Sequence, residues 1–210
     1  QRQMCIRDRA SFEDAITAYE IPEDVKQLLL RDFGIDTKEK PYYETIEVST
    51  LSDDVLQELA QAGWKLSHLA DGHHMLDVNS KTDDLSNEQF QTLLKAQEQI
   101  TWLDLNRTNI KDNMLNSVGQ LTNLTRLNLS NTTITDAGVA HLKPLVHLEV
   151  LNLYGTPITD KSLEVIHNLS GLKRLYLWQT QVTVEGVKKL KEQLPDVEVI
   201  GVGSDNPETT

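Results

Sequence analysis

A period of 24 residues constrains this chain more than any other feature. Leu103, Leu127, Leu151, Leu175 and Val199 stand at that spacing, and the first four open the similar units LDLNRTNIKD, LNLSNTTITD, LNLYGTPITD and LYLWQTQVTV. Two residues further on stand Leu105, Leu129, Leu153 and Leu177, and seven further on Ile110, Ile134, Ile158 and Val182. Three residues back stand Ile100, Leu124, Leu148 and Leu172. A unit this short cannot bury its own apolar face, so the recurrence demands stacking of neighbours into a solenoid. Each LxL reads as a short strand with alternate residues facing the core. The fold class expected is α/β: a right-handed β-α solenoid over residues 100–202 with an α/β cap before it.

The remaining columns follow from the same geometry. Thr108, Thr132, Thr156 and Thr180 fall at the turn leaving each strand, where a buried hydroxyl needs a backbone partner, so their role is structural. Asp136 and Asp160, with Asp112 as a third instance, are placed as N-caps of the return helices; in the fourth unit Val184 replaces Asp and Thr183 takes the cap. Pro144 and the surroundings of Gly119 and Gly171 mark the helix exits. An open array leaves core exposed at both ends. At the C-terminal end, VTVEGVKKLKEQLPDVEVIGV supplies an amphipathic helix and a last strand over 197–202, and residues 203–210 read as a disordered tail.

Upstream, Leu76-Asp77-Val78 looks like one more LxL strand, 27 residues before Leu103. A helix over LSNEQFQTLLKAQ, capped by Ser86, with Phe90, Leu93 and Leu94 inward, completes a degenerate first repeat. Before it come a strand over 45–48, a helix over 52–62 and a strand over 64–69. Asp71-Gly72 then turns a hairpin into His74–Val78. Residues 45–99 therefore form the N-terminal cap. Residues 10–44, with one helix over 22–33, read as a linker or the end of another domain. Gln1–Arg9, QRQMCIRDR, resembles translated sequencing-adapter read-through from metagenomic assemblies and is set aside from fold reasoning.

The repeat pattern resembles the leucine-rich repeat family, in its bacterial form with Thr in the usual Asn/Cys column. The order of parts is also similar to the C-terminal portion of a family of bacterial membrane proteins. Those carry transmembrane helices, a planctomycete-type cytochrome c domain, a cap of this kind and then leucine-rich repeats. GWKLSHLADGHHMLDVN and the run from LYLWQTQVT to LPDVEV carry that resemblance. It implies a membrane-tethered, extracytoplasmic parent protein, on the periplasmic side. It does not imply haem in this chain, which has one cysteine, Cys5, and no CxxCH. No cofactor is expected.

Charge narrows the partners. The formal net charge is −12, with 19 Asp/Glu against 7 Lys/Arg over 11–100 and 12 against 10 over 101–210. Without a basic cluster, neither nucleic acid nor an anionic membrane surface is an expected partner. No run of apolar residues is long enough to insert in a bilayer.

The concave sheet face is where the family resemblance places a ligand. Its outward strand positions are Trp102, Asp104, Asn106; Arg126, Asn128, Ser130; Val150, Asn152, Tyr154; and Arg174, Tyr176, Trp178. Aromatics beside arginines are what binding hot spots use, and aromatic faces also suit sugars. The candidate site is Trp102, Arg126, Tyr154, Arg174, Tyr176 and Trp178, for a protein or carbohydrate ligand; Asn128, Ser130 and Asn152 read as a solvated strand face. The alternative is that these aromatics pack on one another. The chain would then be a spacer, or a packing partner for an upstream domain of the same protein. His68, His73 and His74 lack a carboxylate or thiol at ligand spacing, so no metal site is expected. Asp53-Asp54 and Asp83-Asp84 sit at helix starts, where the helix dipole favours them. No nucleophile-base-acid set, phosphate loop or zincin helix is present, so no catalysis is expected; the enzymatic alternative, in which the acidic N-terminal segment completes an active site with sequence beyond this chain, would need a cleft of convergent carboxylates or histidines.

Overall fold

The computed structural model describes residues 42, 46–70, 73–77 and 85–202, with the backbone alone at 66, 68–70 and 73–77. The chain divides into two compact units, 1–47 and 48–210, and the second holds all the elements below. Seven strands form one sheet in chain order: β1 Lys65–Ala70, β2 His73–Asp77, β3 Ile100–Asp104, β4 Arg126–Asn128, β5 Val150–Asn152, β6 Arg174–Tyr176 and β7 Glu198–Ile200. The first pair is antiparallel and every later pair parallel. The helices are α1 Asp53–Gln61, α2 Asn87–Leu93, α3 Leu115–Val118, α4 Asp136–Val139, α5 Asp160–Ile166 and α6 Val184–Gln193, with 3-10 turns flanking α2, α3 and α4.

The 24-residue columns become ladders. Leu76, Leu103, Leu127, Leu151, Leu175 and Val199 pair in that order along the sheet, so the degenerate first repeat is in register with the rest. Leu105, Leu129, Leu153 and Leu177 are fully buried, and so are Ile110, Ile134 and Ile158. Helix residues Leu115, Val118, Val139, Leu142, Leu163 and Ile166 close the other side of the core. Each fully buried leucine contributes about 2 kcal/mol of apolar transfer free energy. No unit holds this core alone, so the stabilisation is shared between neighbours.

The threonine column does what its position predicts. Thr108, Thr132, Thr156 and Thr180 donate their hydroxyls to the carbonyls of Leu105, Leu129, Leu153 and Leu177 at 2.6–2.8 Å. One residue earlier the backbone turns through the left-handed region at Arg107, Asn131, Gly155 and Gln179, with φ between 55° and 67°. Only the third unit places glycine there. Its missing side chain also leaves room for Asn131 Oδ1, which would lie 2.9 Å from a Cβ.

The return helices correct one expectation. The caps are Thr135, Thr159 and Thr183, whose hydroxyls accept from Ala137, Lys161 and Gly186 N–H. Asp136 and Asp160 are the first helical residues, and Asp112 opens a 3-10 turn behind Lys111, which makes no side-chain cap. These carboxylates reach forward instead. Asp112 accepts the backbone N–H and hydroxyl of Thr135 at 2.8 and 2.6 Å; Asp136 takes the same pair from Thr159, and Asp160 from Thr183. Each Asp thus staples its own repeat to the next. Gly138 and Gly186 have no Cβ because one there would lie 2.4 and 2.3 Å from Asp112 and Asp160 Oδ1. At the matching place Ser162 donates to Asp136 Oδ1 at 2.5 Å. Burial pushes the Asp136 carboxyl up, but its bonds from Ser162 and Thr159 outweigh that and leave it below the ordinary value. In the fourth unit Val184 stands in the Asp position, 65% exposed.

The N-terminal cap is built on Trp64. Its ring packs edge-on against Phe90, centroids 5.4 Å apart, and its indole N–H donates to the Gln89 carbonyl and the Thr92 hydroxyl. Ser86 and Gln89 form a full capping box, and the Gln89 amide also reaches the Ala62 carbonyl. The strand expected over 45–48 is not formed at its described residues 46–48. The buried Gln99 side chain bonds instead to Ser49 just beyond. The expectations for residues 1–41, 43–45, Asp71-Gly72, Val78, Asp83-Asp84 and 203–210 lie outside the described residues.

Candidate ligand-binding face

Alternation along the strands puts three rows on the helix-free face of the sheet. The first is Trp102, Arg126, Val150, Arg174, Glu198, and the second is Asp104, Asn128, Asn152, Tyr176, Ile200. The third, two residues on, is Asn106, Ser130, Tyr154, Trp178, Val202. Bonds such as Asn131 N–H to Tyr154 O and Gly155 N–H to Trp178 O extend the ladder through it.

The N-terminal half of this face is occupied with itself. The Arg126 guanidinium lies 4.1 Å above the Trp102 ring, a cation-π stack. The Trp102 indole nitrogen beneath is buried without an acceptor. Ser130 is buried rather than solvated, and its hydroxyl lies 2.9 and 2.7 Å from Asn106 and Asn128 Oδ1, which share its one hydrogen. Asn131 joins the same cluster through Asn106.

The C-terminal half is open. Tyr154 and Tyr176 are half-buried and Trp178 is 39% exposed. Among the described residues no ring pair joins these three, and Arg174 has no side-chain hydrogen bond or ion pair. Trp178 leans on the backbone of Gly201, where a Cβ would lie 2.2 Å from its Cδ1; the glycine, at φ 120°, fixes that edge of the indole. The six candidate residues thus fall into two groups. Trp102 and Arg126 are stacked together, while Tyr154, Tyr176, Trp178 and Arg174 are presented outward. Ile200 and Val202, both half-buried, extend the second group and were not among the candidates. Continuing the 24-residue count from Tyr176 and Trp178 would have reached them.

Elsewhere the picture is quieter. The backbone pairs His68 with His74, and among the described residues no cluster of His, Cys, Asp or Glu could hold a metal. No described helix is long and apolar enough to cross a membrane.

Residues 122–182 match the family model for leucine rich repeat. No curated protein matches the chain. Among solved structures it is similar to an internalin from Listeria monocytogenes, at 28% identity over 55% of this chain and 31% of that one, TM-score 0.44. It is also similar to a leucine-rich repeat protein of Leptospira interrogans, at 21% identity over 51% and 26% of the two chains, TM-score 0.40. A TDR receptor is a third, at 19% identity over 53% and 19%, TM-score 0.38. The chain spans less than a third of each of them. The repeats of this chain form an α/β leucine-rich repeat solenoid.

Proposed function

We propose that this chain is a non-catalytic interaction module of a larger, membrane-tethered extracytoplasmic protein, holding a protein or glycan ligand on the concave face of its solenoid. The observation that carries the reading is the open corner: Trp178 exposed, Tyr154 and Tyr176 half-buried, and Arg174 without a partner among the described residues. Large aromatics offer contact area at little entropic cost, with two side-chain torsions each, and an arginine adds a charged anchor. The parent protein rests on the resemblance in segment order. Reading the source DNA upstream of Ala10 for a CxxCH motif and apolar spans checks it, and a start codon close to Ala10 would remove it.

A second reading, a spacer or packing partner for an upstream domain, draws support from the other half of the face, where Arg126 stacks on Trp102 and Ser130 bonds to Asn106. The two readings are separated by displaying the full chain, Tyr176→Ala and Trp178→Ala on arrays of glycans and extracellular proteins. A ligand whose signal falls in both variants supports the binding module. Signals indifferent to both substitutions leave the spacer.

A further inference from the structure

The open corner carries more detail about its ligand than its aromatics alone. Asn128 Oδ1 accepts the Ser130 N–H and hydroxyl, and Asn152 Oδ1 accepts the Tyr154 N–H. Both amide planes are therefore fixed, and among the described residues neither amide nitrogen has a protein acceptor. Asp104 is held in the same way by the Asn106 N–H. The middle row thus presents a carboxylate, two fixed N–H₂ groups and the Tyr176 hydroxyl at one-strand intervals of ~4.8 Å.

The outward rows from β3 to β7 span roughly 19 Å by 13 Å from strand spacing and rise, a strip that a slender ligand can follow across the strands. Flat aromatic faces beside fixed amide donors match the C–H faces and hydroxyls of pyranose rings. Arg174 adds a charge preference. Its neighbours in the ladder are Val150 and Glu198, and it forms no ion pair with the latter. A half-buried guanidinium on a ligand face is matched by a carboxylate.

We propose that this corner, with the middle row that runs from it to β4, binds an extended, carboxylate-bearing oligosaccharide laid across the strands: sugar faces on Tyr154, Tyr176 and Trp178, hydroxyls on the Asn128 and Asn152 amides, and a uronate carboxylate on Arg174. Asp104, at the other end of the row, repels a second carboxylate and accepts sugar hydroxyls, so the acidic unit lies at the β6 end. This rests on the reading of the concave face as a ligand surface.

Tryptophan fluorescence suits the test. Trp64 is buried and Trp102 lies under Arg126, so the exposed Trp178 reports the corner. The full chain is titrated at millimolar concentrations with cellotriose carrying a single terminal uronate and with neutral cellotriose, and circular dichroism checks the fold of each variant. The uronate-bearing trisaccharide is expected to bind at least about tenfold more tightly than cellotriose. Arg174→Gln is expected to abolish that preference, and Tyr176→Ala, followed through Trp178, to weaken both. Equal affinities in the wild type, or no response to either sugar, overturn the proposal. If an arrayed protein still binds in a Tyr176-dependent way, the ligand face survives without the glycan; if nothing does, both fail.

Discussion

The two halves of the sheet face are made by the same repeat and end in different states. Around β3 and β4 the outward side chains find one another: Arg126 on Trp102, and Ser130 between Asn106 and Asn128. Around β5 and β6 the same columns hold Val150, Tyr154, Arg174, Tyr176 and Trp178, and no side-chain bond closes them among the described residues. The backbone ladder is continuous through both halves, so the contrast is one of side chains. A solenoid separates what holds it together from what it displays, because its core and its Asp-Thr staples lie away from this face.

The severest challenge removes what the halves share. Leu151 is fully buried at the boundary, and Leu151→Asp puts a charge into the stacked column. A loss of about 4 kcal/mol or more is expected in a denaturant titration, with both halves lost together. An unchanged midpoint would mean that the columns are out of register.

Next in size is the staple. Asp136→Asn weakens charge-assisted bonds to Thr159 and Ser162, and a loss of about 2 kcal/mol is expected at neutral pH. Because the folded carboxyl lies below its ordinary value, its stabilisation is present above the unfolded pKa of about 3.9 and is lost as pH falls through the lower folded value. Melting temperatures of wild type and variant should therefore differ at neutral pH and converge in acid. A gap that persists in acid would show that the carboxylate charge is not what stabilises.

The smallest effects sharpen the contrast itself. Ser130→Ala, in the closed half, is expected to cost about 1 kcal/mol, because it removes the one hydroxyl that two asparagine oxygens share. Arg174→Gln, in the open half, is expected to stay within about 0.5 kcal/mol. Equal losses in thermal melts would erase the distinction between a self-satisfied half and a presented one.

The repeats were legible in the sequence because four columns of apolar residues leave one register that buries them all. The cap at Ser86 and the register of Leu76 on Leu103 followed from local pattern as well; the reciprocal bond from Gln89 was not read. The aspartates were misread by one position. Their partners lie 23 residues on, across a repeat boundary, and a local reading of Asp before a helix sees only the cap. The division of the candidate face escaped for the same reason. Nothing local to Arg126 says that its guanidinium covers Trp102, nor that Ser130 is buried between two asparagines. The strand expected before α1 is absent at its described residues 46–48.

Val184 bears on how such an array lengthens. Each staple needs an Asp in one unit and a Thr in its successor, and Val184 supplies no acceptor for a further unit. A duplicated copy of the segment from Gly155 to Trp178 inserted internally would carry both halves of the join and splice into the stack at once. A copy added behind Val184 would arrive without one. The staple pattern can therefore be continued by insertion between existing units, and it is interrupted at Val184.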